Sequence, residues 1–328
     1  MRNISLFVAI VLLTGLGLGS VAFAASGKLV LYTSQPTQDA QQTVDAFNKA
    51  HPDVEVEWIR DGTTKVMAKL RAEFAAGAPK PDVLLIADAV TMADLKRDGK
   101  LLPYPQAPVS AYSADVYDTD MTYFGTKLLT TGIVYNINAP MQPTSWKDLI
   151  KEEAKNLVTM PSPLTSGAAL IHLATLTDNP ELGWDYYEQL AANGALAKGG
   201  NGGTFKAVAG GEKLYGMVVD FLPIRNKAEG SPVEFVYPVE GVSAISEPVA
   251  ILSTASNVEA AQAFVDFLLS EEGQTLAANQ GYMPAHPAVA PPAGFAKLTD
   301  IKIMPLNAEK ALNNADANKR RFAEIFGE

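Results

Sequence analysis

The chain contains no cysteine. Disulfides and thiolate metal sites are thereby excluded, and the fold must rest on ordinary apolar burial, which a hydrophobic content of 48% can supply. Histidine is scarce: His51 precedes a proline, His172 lies in a helical stretch and His286 sits between prolines. None belongs to an H-E-x-x-H helix or a carboxylate cluster. No G-x-S-x-G elbow occurs, and Gly199-Gly200-Asn201-Gly202-Gly203 lacks the lysine of a phosphate-cradling loop, so it reads as a flexible connection. No catalytic residue, metal ligand or cofactor is expected. Basic charge is also short, with 26 Lys and Arg against 36 Asp and Glu and a formal charge of −10. Such a surface repels nucleic acid and anionic lipid, which removes both as partners. Repeats and low-complexity blocks are absent. Past the first two dozen residues, no apolar run approaches the roughly 20 residues that a bilayer span needs.

What is present begins with an address. Arg2, an apolar run from Leu6 to Leu18 and the small-residue site Ala22-Phe23-Ala24 read as a cleaved secretory signal over residues 1–24. Its removal from 328 residues leaves 304 and, because Arg2 is its only charge, moves the formal charge from −10 to −11. That length suffices for two lobes, each with its own core.

The rest opens with strand–helix alternation. Leu29–Tyr32 is a short apolar strand, and Ala40, Val44 and Phe47 follow at helical spacing from near Thr37. His51-Pro52-Asp53 breaks that helix, after which Val54, Val56 and Trp58 alternate as a second strand. A second helix carries Val66, Leu70 and Phe74, and Val83–Ile86 is a third, wholly apolar strand. This order predicts a parallel sheet covered on both faces, with ligands beyond the carboxyl ends of its strands. A second block begins after Pro103–Pro108. It holds strands at Thr131–Asn136, Asn156–Met160 and Tyr215–Val219, with helices through Ile171 and over Asp185–Asn193. Val249–Leu252 returns to the first lobe and its large helix with Phe264 and Phe267; prolines from Pro284 to Pro292 lead to a helical tail. Exchange of strands between lobes predicts a hinged cleft.

These patterns resemble the periplasmic solute-binding proteins of bacterial ABC importers, in the branch of ferric-iron, organophosphate and 2-aminoethylphosphonate binders. The likeness rests on Leu29–Ser34, Pro81-Asp82-Val83, Gly132–Asn136, Pro161–Gly167 and, most specifically, Ala263–Gln274. It implies an α/β, two-lobed periplasmic-binding-protein fold of type II, each lobe a central sheet flanked by helices. The expected division is 25–124 with 247–290, and 125–246 with 291–328. It further implies a monomer in the periplasm that delivers a small anionic or zwitterionic solute to an inner-membrane permease.

Hydroxyls cluster at the expected cleft-facing ends: Thr33 and Ser34 after the first strand, Thr63 and Thr64 before a helix, and Ser162, Thr165, Ser166 and Gly167 before another. Ser and Thr are also the preferred N-caps, but a helix start with free N–H groups suits an oxyanion. Asp88, Asp220 and Glu240 fall at neighbouring ends and would meet an ammonium or hydroxyls. An anionic head with an amine points to 2-aminoethylphosphonate, with sugar phosphates in the same class. Iron binders of this branch carry a tyrosine pair where this chain reads Val219-Asp220-Phe221-Leu222-Pro223, which makes ferric iron the alternative ligand. Tyr186-Tyr187 reads as packing within a helix, and Tyr135 as part of a crossing strand. A secreted phosphate-ester hydrolase is the alternative of another class.

Overall fold

The computed structural model describes residues 25–114 and 116–327; the expected secretory signal lies outside them. The first third folds as its apolar spacing predicts. Strand β1 (Gly27–Thr33) pairs in parallel with β2 (Val54–Arg60) on one side and β3 (Val83–Leu85) on the other. Helices α1 (Thr37–Ala50), α2 (Thr63–Ala75) and α3 (Ala89–Arg97) connect and cover these strands. Phe47 of α1 packs edge-on against Phe264 at 4.9 Å and Phe267 at 5.8 Å, both on α8 (Val258–Leu269). Burying each ring contributes about 1.5–3 kcal/mol, so this cluster anchors the first lobe. Helix α9 (Glu271–Asn279) completes that lobe against α1.

The second lobe mirrors the arrangement. Strand β5 (Val158–Met160) pairs in parallel with β6 (Leu196–Ala197) and β7 (Tyr215–Val219). Around them stand α4 (Gly167–Asp178), α5 (Gly183–Ala192), α6 (Asn201–Ala209) and α7 (Phe221–Ala228). Its core gathers Trp146, Tyr186, Tyr187 and Tyr215; the Tyr186 hydroxyl donates to the Trp146 carbonyl at 2.9 Å. The tail helix α10 (Ala308–Phe326) sets Phe322 against Tyr187 at 5.9 Å.

Two long strands join the lobes. The β4 strand (Phe124–Asn136) spans 13 residues, about 40 Å at ordinary strand rise. Strand β9 (Ser243–Ile251) runs antiparallel beside it, touching β3 at one end. Short strands β8 (Val233–Val236) and β10 (Met283–Pro284) also pair with β4. Each lobe has the central sheet flanked by helices that was expected, and the two sheets are continuous: one hydrogen-bonded ladder runs β2-β1-β3-β9-β4-β7-β5-β6, because β4 and β9 belong to both. Their register shifts between Gly125 and Leu128, a bulge that bends the ladder where it passes between lobes.

The glycine-rich run differs from expectation. Gly199 takes a left-handed φ of +62°, but Asn201, Gly202 and Gly203 form the first turn of α6. Two glycines disfavour a helix by about 1 kcal/mol each. Burial of Thr204, Phe205 and Val208 in the following turn outweighs that penalty.

Candidate functional site

The carboxyl ends of β1, β2 and β3 face those of β5 and β7, and the lobes meet there backbone against backbone. A Cβ added at Gly62 would lie 2.7 Å from the Thr165 carbonyl oxygen across the cleft. At Gly167 it would lie 2.8 Å from the Ala87 carbonyl oxygen. Between these contacts is a cavity of about 370 Å³, within the range of roughly 300–1,000 Å³ typical of small-molecule sites.

Helix starts dominate its wall. Pro36 opens α1, Gly62 opens α2 and Gly200 opens α6, and none of the three supplies a side-chain cap. Pro36, Gly62 with Thr63, and Gly200 through Gly203 line the cavity. First-turn N–H groups left without a cap are available to an anion, and the helix dipole favours one. The start of α4 is capped: Ser166 Oγ accepts from Ala169 N at 3.3 Å and from Asn201 Nδ2 at 3.1 Å. Asn201 in turn accepts at Oδ1 from Val219 N at 3.1 Å, which fixes its amide. The Thr165 hydroxyl donates to the Gly199 carbonyl at 2.7 Å, and Ser34 Oγ accepts from Ala87 N at 3.0 Å.

One full positive charge joins these dipoles. Arg60, the last residue of β2, lines the cavity and donates from Nε to the Gln35 carbonyl at 2.6 Å. Among the described residues no carboxylate forms an ion pair with it. Sequence reasoning passed over Arg60. An arginine closing a strand whose carboxyl end opens on the cleft was the available signal.

The deep side is polar and buried. Glu247 of β9 lines the cavity and pairs through Oε2 with Lys127 Nζ of β4 at 2.8 Å; the side chains are 4% and 3% exposed. Gln35 Nε2 donates to the same Oε2 at 3.2 Å. The Lys127 ammonium also lies 3.9 Å from the ring centre of Tyr282, another lining residue. Tyr282 donates its hydroxyl to Asp39, and burial followed by the Asp39 charge holds its pKa well above the usual tyrosine value.

Of the residues singled out from sequence, Ser34, Thr63, Thr165 and Ser166 come together on the cavity, with Gly167 at the lobe contact. The others are not among its lining residues. Thr33 is buried and its Oγ1 accepts from Gln35 N at 3.1 Å, while Thr64 stands one position beyond Thr63 on α2. Ser162 Oγ accepts from Leu164 N at 3.1 Å. Asp88 caps α3, accepting from Thr91 N at 3.0 Å, and burial raises its pKa. Asp220 turns inward: it accepts from Thr130 Oγ1 at 2.7 Å, Thr130 N at 3.1 Å and Phe221 N at 2.8 Å. Burial nevertheless pushes its pKa up to about 7. Glu240 accepts from Ser145 Oγ and from Trp146 N, at the start of a short 3-10 turn. Asp220 and Glu240 thus hold local structure, and Glu247 is the acid on the cavity.

Residues 42–303 match the family described as bacterial extracellular solute-binding protein. An uncharacterized protein of Haemophilus influenzae is 30% identical over 299 residues, covering 85% of this chain and 84% of its own length. The periplasmic binding protein AfuA from Actinobacillus pleuropneumoniae, solved with fructose-6-phosphate bound, superposes with a TM-score of 0.83 at 23% identity. That match covers 92% of this chain and 99% of AfuA. Iron-bound HitA from Pseudomonas aeruginosa gives 0.79 at 21% identity over 90% of this chain and 99% of its own. At such identities the likeness is one of fold, a two-lobed α/β architecture.

Proposed function

The chain belongs to the bacterial extracellular solute-binding proteins, periplasmic substrate-binding components of ABC importers, and from that premise we propose that its cleft captures a small organophosphate or phosphonate. The observation that carries this reading is the convergence of three uncapped helix starts, α1, α2 and α6, on the cavity that Arg60 lines. An oxyanion there would receive backbone N–H groups and a guanidinium together. Ser34, Thr63, Thr165 and Ser166 would add hydroxyls from both lobes. Contacts made from both sides favour the closed arrangement over the open one, which is how binding drives closure. The hinge lies where β4 and β9 pass between lobes. The closed monomer then offers its solute to the inner-membrane permease.

2-Aminoethylphosphonate belongs to this class through its phosphonate, although the acid nearest its ammonium would be Glu247 rather than Asp220. Ferric iron fits the donor set less well, since the lining tyrosine, Tyr282, gives its hydroxyl to Asp39. Ester hydrolysis would need a hydroxyl paired with a base, whereas the Ser166 oxygen meets an amide and a backbone N–H. The test is calorimetry on the exported chain with glucose-6-phosphate, 2-aminoethylphosphonate, ethylphosphonate and ferric citrate. Saturable one-to-one binding of a phosphate or phosphonate without turnover is expected. Binding of iron alone would overturn the proposal.

A further inference from the structure

Two neighbouring hydroxyls on the cavity wall are wired in opposite senses. A serine hydroxyl has one proton to give and two lone pairs to receive with. Ser166 Oγ receives twice, from Ala169 N at 3.3 Å and from Asn201 Nδ2 at 3.1 Å. Neither donor is open to reversal. Ala169 gives a backbone N–H, and the Asn201 amide is anchored by its Oδ1, which accepts the backbone N–H of Val219 at 3.1 Å. An amide turned the other way would set Nδ2 against that N–H. Both lone pairs of Ser166 are therefore occupied, and among the described residues nothing accepts its proton. Ser166 and Asn201 both line the cavity, so the proton is left for a ligand.

Thr165 is the reverse case. Its hydroxyl shares its proton between the Gly199 and Ser162 carbonyls, at 2.7 and 3.2 Å, and a carbonyl can only accept. With that proton spent, Thr165 turns only a lone pair to the cavity that it lines. A lone pair offers an oxyanion nothing, whereas a hydroxyl proton aimed at one makes a charge-assisted bond.

We propose that Asn201 is a positioning residue that commits Ser166 to donate to the bound oxyanion, while Thr165 gives the oxyanion no hydrogen bond. The assignment rests on the organophosphate reading and divides the hydroxyls which that reading takes together. A free rotor could satisfy either a phosphoryl oxygen or a ligand hydroxyl; here the second lobe presents a fixed donor instead. That donor meets an unprotonated phosphoryl oxygen and offers nothing to a ligand group that must itself donate.

Calorimetry on the full exported chain with glucose-6-phosphate and ethylphosphonate tests this. Ser166→Ala should weaken whichever of them the wild type binds by roughly ten- to a hundredfold, the worth of a hydrogen bond to a charged group. Thr165→Ala should stay within about threefold of the wild type. Asn201→Asp keeps an acceptor for Val219 N and places a second oxygen where Nδ2 stood, which draws the Ser166 proton away from the ligand. On that background Ser166→Ala should cost no more than about threefold, and the comparison cancels the repulsion that the new carboxylate adds by itself. A cap alone would shift urea unfolding and cost the same factor on both backgrounds. Three results would each overturn the assignment and leave the oxyanion reading standing: unchanged affinity in Ser166→Ala, an equal loss in Thr165→Ala, or equal Ser166→Ala factors on the two backgrounds. Binding of neither probe to the wild type would refute the oxyanion reading and the assignment with it.

Discussion

Arg225 fastens one lobe to the other, and its removal should be felt at a site it does not touch. It sits on α7 of the second lobe and donates from Nη1 to both carboxylate oxygens of Asp39 on α1, at 3.0 and 3.3 Å. The same nitrogen reaches the Gln280 carbonyl at 2.9 Å. The Asp39 side chain is 1% exposed and that of Arg225 26%, so the pair is dry on one side only. Stranding a partner of a fully buried pair costs about 3–5 kcal/mol. Partial solvent access and the Tyr282 hydroxyl that still serves Asp39 reduce this to about 2 kcal/mol. Opening the lobes hydrates Asp39, so the loss falls on the closed arrangement alone. Affinity includes the free energy of closure, and about 2 kcal/mol corresponds to roughly thirtyfold. Arg225→Ala should therefore weaken glucose-6-phosphate binding by about that factor, in full where the unliganded protein rests open. Small-angle scattering should show the variant staying extended at ligand concentrations that compact the wild type. Arg225→Lys should recover part of the loss. Equal affinities and identical scattering curves for wild type and Arg225→Ala would refute the fastening role.

Arg60→Gln should lower phosphate affinity by about 1.5–3 kcal/mol, the worth of a hydrogen bond to a charged group, and flatten the dependence of binding on salt in calorimetric titrations. Thr165→Ala combined with Ser166→Ala should weaken the same ligand while lowering folding stability by only about 1 kcal/mol, the worth of a lost cap, read by urea unfolding. Asp220 gives a pH signature: an acid held above its unfolded value of 3.8 stabilises the fold in its protonated form. That contribution is complete below this value and is lost as pH rises through about 7. The stability of wild type relative to Asp220→Asn should thus decline across that window by at most about 1.4 kcal/mol per pH unit. Parallel pH curves would show that burial does not raise this group.

The alternation of strands and helices was legible because burial imposes periods of two and of about 3.6 residues on the apolar positions. Leu29, Leu31, Val44 and Phe47 obey them. Strand β4 was legible only in part. Its buried Thr126, Lys127, Thr130 and Thr131 are polar, and polar residues there carry no period. They are buried because they serve internal partners and the cleft, as Lys127 serves Glu247 from 120 positions away. Such a pair has no local signal. Ser34, Thr63 and Ser166 could be placed from the rule that ligands gather at strand ends. The same rule put Asp220 in the cleft, but its side chain folds back onto Thr130. Position along a strand is thus readable where the direction of a side chain is not.

Gly62 and Gly167 act as the bare edges of a jaw. Each brings its own backbone against a carbonyl oxygen of the opposite lobe, at a distance that leaves no room for a methyl group. Neither has a left-handed φ, so alanine fits both positions within their own lobes. Its only obstacle is the facing lobe. A single carbon at either place would serve as a doorstop that props the jaw ajar without disturbing either half. The pair of positions therefore offers a ready mechanical control: a protein built to stay open, against which every signal of closure in a sensor or a transport assay can be zeroed.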